Sequence, residues 1–132
     1  MRTGRARRDL FLFLFIGKFK EWGHCTMIDR YTSKEMGSIW TLENEFRTML
    51  KVEITACEAM NKMGQVPDDA LHDIQTKADF RLERIHEIEA VTNHDIIAFL
   101  TNVAEYVGPA SKYIHKGLTS SDVKDTAMGI MM

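Results

Sequence analysis

Residues 42–63, LENEFRTMLKVEITACEAMNKM, decide the fold class of this chain. The apolar side chains in this stretch recur every three or four residues, which is the spacing of one face of an α-helix. These side chains are Leu42, Phe46, Met49, Leu50, Ile54, Cys57 and Met60. Thr41 is a suitable N-cap, and Gly64 followed by Pro67 is a stop signal. The stretch therefore predicts one long amphipathic helix whose apolar face packs against other helices.

Shorter helices are predicted on both sides of the long one. Thr32 and Glu35 have the spacing of a capping box, which predicts a short helix before it. After it, Pro67 suits the first turn of another helix, and a further helix is expected around Ile85. From residue 32 onward, the apolar and polar alternation that marks half-buried strands is absent. The predicted fold class is all-α.

Two more helices are predicted towards the end of the sequence. One begins just after Asn93 or His94, carries a wide apolar face and ends at Gly108 and Pro109. The other comes after a linker, begins in the cluster 119–122 and is still open at the last residue. A helix that runs to the last residue is expected of a truncated chain.

The first 26 residues look unrelated to the rest. Four arginines precede the apolar run LFLFLFI at residues 10–16, as in a signal peptide. The run is far shorter than the roughly 20 residues that cross a bilayer, and no small-residue cleavage site comes after it. We therefore expect no membrane segment. We expect residues 1–26 to be a mis-called start or a disordered leader, and residues 27–132 to form one domain that begins at Met27.

Charge and cysteine content argue against several classes of function. Residues 1–26 hold six basic and two acidic residues, whereas the remainder holds eleven basic and seventeen acidic ones. This mildly acidic body argues against a nucleic-acid-binding surface. Cys25 and Cys57 lack metal-ligand spacing and are expected to be free thiols in the cytoplasm. Phosphate-cradling glycine loops, zinc-ligand spacings and nucleophile elbows are absent from the sequence, which argues against Walker-type hydrolysis, zinc peptidase chemistry and α/β-hydrolase chemistry. Metal-free acid–base chemistry remains among the hypotheses.

Two predicted helix starts carry candidate site residues. The sequence TSSD at residues 119–122 puts hydroxyls and unpaired backbone N–H groups together, which suits a carboxylate or a phosphate. Plain N-capping is the alternative there. At the other start, His94 with Asp95 is a candidate proton donor or acceptor, and capping is again the alternative. Spacing alone does not decide between binding and capping.

Isolated residues are weaker candidates. His115, in the predicted linker, suits an anionic substrate group, and Arg30 with Tyr31 suits a phosphate because arginine offers a bidentate fork. His72 and His86 stand among charged helical residues and are expected to be solvated surface side chains.

Five short blocks of sequence carry a resemblance to a known family. They are MIDRYT at residues 27–32, EM at 35–36 with IW at 39–40, VEI at 52–54 with ACEA at 56–59, HD at 94–95 with AF at 98–99, and HKGLTSSDV at 115–123 with DT at 125–126. Their order and spacing resemble the bacterial adenylosuccinate lyases, within the fumarase and aspartase superfamily. The resemblance implies the N-terminal helical domain of that fold, without its central helix bundle.

The resemblance also implies an activity. Members of this family remove fumarate by β-elimination from adenylosuccinate, leaving AMP, and from the succinyl-carboxamide ribotide earlier in purine synthesis. They need no cofactor. By resemblance, the partners of this protein are a small nucleotide substrate and further copies of itself in a cytoplasmic homotetramer.

The same resemblance assigns roles to individual site residues. Arg30 and Tyr31 match a pair that binds the phosphate and ribose end of the nucleotide, and His115 matches a histidine near the phosphate. Thr119 and Ser120 match residues that hold the succinyl part.

The most direct role in catalysis falls on the His-Asp block. His94 and Asp95 match a substrate-contacting pair, in which His94 is the catalytic residue that orients the leaving nitrogen or assists its protonation. Asn93 is expected to contact substrate as well. It departs from the family pattern, since many relatives carry a basic residue there and an amide supplies no charge.

Other parts of the family pattern are missing from these 132 residues. A second catalytic histidine, a mobile serine loop and the central bundle are not found, so we expect neither lyase activity nor a tetramer from this chain alone. The apolar face with Ile96, Leu100 and Val103 is expected to lack its partners and to promote association. The alternatives are an inactive fragment or a small helical interaction module with at most a nucleotide half-site, and, within the superfamily, an argininosuccinate lyase or a cycloisomerase.

Overall fold

The computed structural model describes residues 31–132, and every regular element in that range is a helix. The predicted all-α class is therefore confirmed. Residues 38–132 form one compact unit, and residues 31–37 belong to another. The predicted domain start at Met27 and the candidate Arg30 lie outside the described residues.

The first described helix, α1, spans Lys34–Ile39. The Ser33 hydroxyl accepts a hydrogen bond from the Met36 N–H at 3.2 Å, which is the usual N-cap contact. The helix was predicted, but its cap is one residue later than the Thr32 of the predicted capping box.

The long helix α2 spans Leu42–Lys62, as its apolar period predicts. The Thr41 hydroxyl accepts a hydrogen bond from the Asn44 N–H at 3.2 Å, so the predicted cap is confirmed. Beyond the end of the helix, Gly64 has a φ of 72°, a left-handed conformation that glycine adopts at little cost. Local signals therefore fix both ends of α2.

The remaining helices are separated by short connections. They are α3 at Asp68–Lys77, α4 at Leu82–Thr92, α5 at Asp95–Val107 and α6 at Ser120–Met131. Between α5 and α6, Gly108–Tyr113 forms a 3-10 helix where a linker was predicted. Pro67 stands just before α3, rather than inside its first turn. None of the described helices is long and apolar enough to cross a membrane.

Three phenylalanine rings form the centre of the core. Phe46 of α2 stacks on Phe99 of α5 with 5.3 Å between ring centroids, and Phe80, from the connection between α3 and α4, meets Phe99 edge-on at 6.0 Å. All three rings are buried. The trio joins three segments that are distant in sequence, so it holds α2 and α5 in place.

The apolar face of α5 is covered within this chain. Ile96 and Val103 are fully buried, and Leu100 packs against the same core. The prediction that this face is left without partners is therefore wrong. The side chains that cover it come from the neighbouring helices, and a one-dimensional pattern does not show which faces meet.

Candidate functional site

The start of α5 carries the His-Asp pair. The His94 Nδ1 atom accepts a hydrogen bond from the Ile97 N–H at 3.3 Å, so His94 caps the helix. The Asp95 Oδ1 atom accepts from the Ile96 N–H at 2.7 Å. Because His94 Nδ1 and Asp95 Oδ1 are 3.6 Å apart, the two side chains do not share a hydrogen bond. His94 caps the helix and Asp95 accepts a hydrogen bond within its first turn, and these contacts leave the His94 Nε2 atom available to a substrate.

Asp95 also joins α5 to the start of α6. Its Oδ2 atom forms a close ion pair with the Lys124 Nζ atom. Partial burial raises the pKa of Asp95, but the hydrogen bonds from Lys124 and Ile96, with the nearby charges of Lys124 and His94, bring that pKa below its usual 3.8. Asp95 is therefore ionised at neutral pH.

Lys124 was not identified from the sequence. The sequence spacing could have identified it, because Lys124 lies four residues after Ser120 in the same helix and therefore lies on the same helix face. The ion pair with Asp95 shows that this face points towards the start of α5.

The cluster at the start of α6 is organised as a cap. The Asp122 Oδ2 atom accepts from both the Thr119 N–H at 2.8 Å and the Thr119 hydroxyl at 2.9 Å. These bonds hold the pKa of Asp122 below its usual value, and the charge of His115 adds to the effect. Within residues 31–132, the hydroxyls of Ser120 and Ser121 have no hydrogen-bond partner, so these two members of the cluster remain available for a ligand.

His115 is held by a buried carboxylate. Its Nδ1 atom lies 2.6 Å from Glu53 Oε1, and its backbone N–H donates to Glu53 Oε2 at 2.9 Å. The Glu53 side chain is only 1% exposed, whereas that of His115 is 19% exposed. Glu53 lies in a block that carries the family resemblance, yet it was not identified as a site residue because it stands 62 residues from its partner.

The charge of Glu53 affects its neighbour Cys57. Cys57 lies one turn further along α2 and is fully buried. Burial, followed by the charges of Glu53 and Glu58, raises the pKa of the Cys57 thiol to about 11. The thiol contacts the Tyr113 carbonyl oxygen at 3.6 Å. Cys57 is therefore a protonated core side chain rather than a nucleophile.

Two residues of the site have an unusual backbone. His115 has a φ of 61° and Asn93 a φ of 52°, both in the left-handed region. For residues with a Cβ atom this conformation costs roughly 1–2 kcal/mol, and asparagine tolerates it best. Asn93 ends α4, and its N–H donates to the Glu89 carbonyl oxygen at 2.8 Å. At His115 the two hydrogen bonds to Glu53 offset the cost.

The two histidines are held in opposite tautomers. His94 Nδ1 accepts from a backbone N–H, so a neutral His94 carries its proton on Nε2. His115 Nδ1 faces a carboxylate, so it carries the proton itself. The Nε2 atom is then a hydrogen-bond donor on His94 and an acceptor on a neutral His115, which suits the two rings to different tasks.

The described residues bring most of the candidates to the starts of α5 and α6. Asp95 reaches α6 through Lys124, and His115 influences Asp122 at the cap of α6. Tyr31 is 74% exposed and belongs to the other compact unit. Within residues 31–132, no three His, Cys, Asp or Glu side chains converge on a possible metal position.

Two histidines held in fixed tautomers are suited to acid–base chemistry. The sequence model of the lyase family matches residues 29–132, and the chain belongs to that family. Its sequence is 55% identical to the adenylosuccinate lyase of Synechocystis sp. over 106 residues, which are 80% of this chain and 25% of that protein. Identity to the adenylosuccinate lyase of Aquifex aeolicus is 49%, again over 80% of this chain and 25% of the relative. The predicted family resemblance is confirmed.

A solved structure supports the fold. The crystal structure of a fumarate lyase from Mesorhizobium sp. BNC1 superposes with a TM-score of 0.66 at 22% identity, over 75% of this chain and 24% of that one. At this identity the likeness concerns the fold alone. The chain spans about a quarter of the length of the curated relatives it matches.

Proposed function

We propose that this chain supplies part of the substrate site of an adenylosuccinate lyase. The enzyme releases fumarate from adenylosuccinate, leaving AMP, and from the succinyl-carboxamide ribotide. The observation that carries the proposal is the 55% identity to an adenylosuccinate lyase over 80% of this chain. The matched relatives are about four times the length of the match. We therefore expect the 132 residues alone to show no turnover.

In this proposal His94 serves the leaving group. β-Elimination breaks the bond between the succinyl carbon and the exocyclic nitrogen that carries it, removes a proton from the adjacent carbon and adds a proton to the nitrogen. His94 presents an Nε2–H because its Nδ1 atom is occupied by the Ile97 N–H. A ring in this tautomer donates to the leaving nitrogen. The base that takes the carbon-bound proton then comes from the part of the enzyme that this chain does not span.

The start of α6 serves the succinyl group. Ser120 offers an uncommitted hydroxyl, and the first-turn N–H groups of a helix favour an anion. Thr119 is committed to Asp122, so its contribution is the fixed cap that orients this turn. Lys124 adds positive charge close to Asp95, where a carboxylate of the succinyl group would otherwise be repelled.

The remaining assignments rest on the family resemblance. Arg30, Tyr31 and His115 bind the phosphate and ribose end of the nucleotide, and Asn93 contacts the substrate with an amide. The complete enzyme is a cytoplasmic homotetramer.

A chimera tests the proposal. Residues 27–132 replace the matching 106 residues of the Synechocystis sp. adenylosuccinate lyase, and fumarate release from adenylosuccinate is measured. We expect turnover by the chimera and a loss of about 100-fold or more in its His94→Gln variant, because general acid–base catalysis contributes about 10²–10⁴-fold. The matched control is His72→Gln, at an exposed position of α3, which should leave the rate unchanged. A folded chimera without turnover, or a His94→Gln variant with the parent's rate, contradicts the proposal.

A further inference from the structure

We propose that Glu53 is a positioning residue, which fixes the ring of His115 so that its Nε2 atom meets the phosphate of a bound nucleotide. This inference rests on the proposed function, since the phosphate contact of His115 belongs to it. The proposed function gives Glu53 itself no role. Glu53 does not reach the substrate and acts only through His115.

Burial shows that Glu53 is committed to this one partner. A carboxylate that is 1% exposed is costly to bury unless hydrogen bonds satisfy both of its oxygens. Here one oxygen faces the His115 ring and the other accepts from the His115 backbone. Both oxygens of Glu53 are therefore used on a single residue.

The same two bonds fix the direction of the ring. A contact to Nδ1 alone would let the backbone move, and a contact to the backbone alone would let the ring rotate. With both present, the left-handed backbone of His115 and its side chain are held together. Within the described residues, Nε2 is the one polar ring atom without a hydrogen-bond partner. The direction of Nε2 is thus set from α2, on the far side of the ring.

The negative charge of Glu53 also favours the protonated form of His115, which can bind an anionic ligand. When His115 is protonated, Nδ1–H donates to Glu53 and Nε2–H is left to donate to a phosphate oxygen. The other charged neighbour indicated for the ring is Asp122, on α6, which is already satisfied by Thr119. Cys57, beside Glu53 on α2, is neutral because its pKa is about 11.

Replacement of Glu53 by glutamine makes a sharp test. Glutamine has the same shape as glutamate but only one side-chain oxygen. The backbone N–H of His115 can only donate, so that oxygen must face it. The amide NH₂ then faces Nδ1 and donates to it. The ring proton is forced from Nδ1 to Nε2, so Glu53→Gln should reverse the tautomer of the neutral ring. Glu53→Asp, which has no donor, should keep the original tautomer.

The measurement is ¹⁵N NMR of the histidine ring nitrogens in the full 132-residue chain, with and without AMP. In the parent we expect Nδ1 to be protonated and AMP to shift Nε2 of His115. Adenosine, which lacks the phosphate, should not shift it. Glu53→Gln should move the proton to Nε2, which still donates to the phosphate but now from a neutral ring. AMP binding should then weaken about tenfold, because the charge on the donor is lost. Glu58→Gln is the matched control, with the same change on the same helix, and should alter neither property.

Each other outcome overturns the inference. If Nδ1 of His115 stays protonated in a Glu53→Gln variant whose helix content by circular dichroism is that of the parent, Glu53 does not set the tautomer. If adenosine shifts the Nε2 resonance of His115 as much as AMP does, His115 does not contact the phosphate. If AMP shifts no resonance of the parent, the nucleotide role of His115 fails with the proposed function. The tautomer measurement then still shows whether Glu53 holds the ring, so the two failures are distinguishable.

Discussion

Truncation of Phe99 to alanine should remove much of the stability of the domain. Phe99 is fully buried, and its ring lies 5.3 Å from that of Phe46 and 6.0 Å from that of Phe80. A buried phenylalanine replaced by alanine costs about 3–5 kcal/mol, because apolar contacts are lost and a cavity remains. At roughly 0.05–0.15 kcal/mol per residue, a domain of this size has a total of about 5–15 kcal/mol. We therefore expect Phe99→Ala to be marginally folded.

A second substitution separates ring contacts from volume. Phe99→Leu keeps most of the apolar volume and loses only the two ring contacts, each of which is worth about 0.5–1.5 kcal/mol. Urea unfolding followed by circular dichroism gives both free energies, provided the slope with denaturant is unchanged. Val91→Ala, at a side chain that is 81% exposed, is the control and should change the free energy of unfolding by less than about 0.5 kcal/mol. A loss of under about 1 kcal/mol in Phe99→Ala would refute the assignment of this ring to the centre of the core.

Three further predictions concern charge, capping and reactivity. Lys124→Met should lower the free energy of unfolding by about 0.5 kcal/mol at pH 7, since its ion pair with Asp95 is only partly buried. A lowered carboxyl pKa stabilises the fold above the ordinary pKa and stops doing so as the pH falls through the folded value. The difference between variant and parent should therefore vanish in unfolding experiments well below pH 3.8, and a difference that persists there would exclude Asp95 as the partner. Thr41→Ala should cost about 1 kcal/mol by loss of the cap of α2, while Thr41→Ser should cost little, as thermal unfolding of both would show. In a Cys25→Ser background, Cys57 should react with iodoacetamide at pH 8 at least about 100-fold more slowly in the folded chain than in urea, because its pKa is about 11; equal rates would contradict its burial.

Much of the fold was predictable because the signals for it are local. The apolar period of residues 42–63 and the cap at Thr41 defined α2, and His94 was correctly placed at the start of α5. Such signals depend on residues within one or two turns of each other. The 3-10 helix Gly108–Tyr113 was missed, because glycine and proline end a helix without specifying the conformation of the residues after them.

The candidate site was predictable only in part. The sequence placed His94, Asp95 and the cluster 119–122 at helix starts, but it left binding and capping as open alternatives. The structure shows that the caps are formed, and that His94 Nε2 and the Ser120 hydroxyl stay available beside them. The capping contacts therefore leave other atoms of the same small clusters available for the proposed binding.

By itself, the sequence determined the α-helices, the caps of α2, α5 and α6 and the family, because each depends on neighbouring residues or on a series of short blocks. Only the tertiary structure decided which distant side chains meet. Glu53 and His115 are 62 residues apart, and Lys124 and Asp95 are 29 apart. These contacts depend on how α2, α5 and α6 pack, and packing is set by the shapes of whole helix faces rather than by any local pattern.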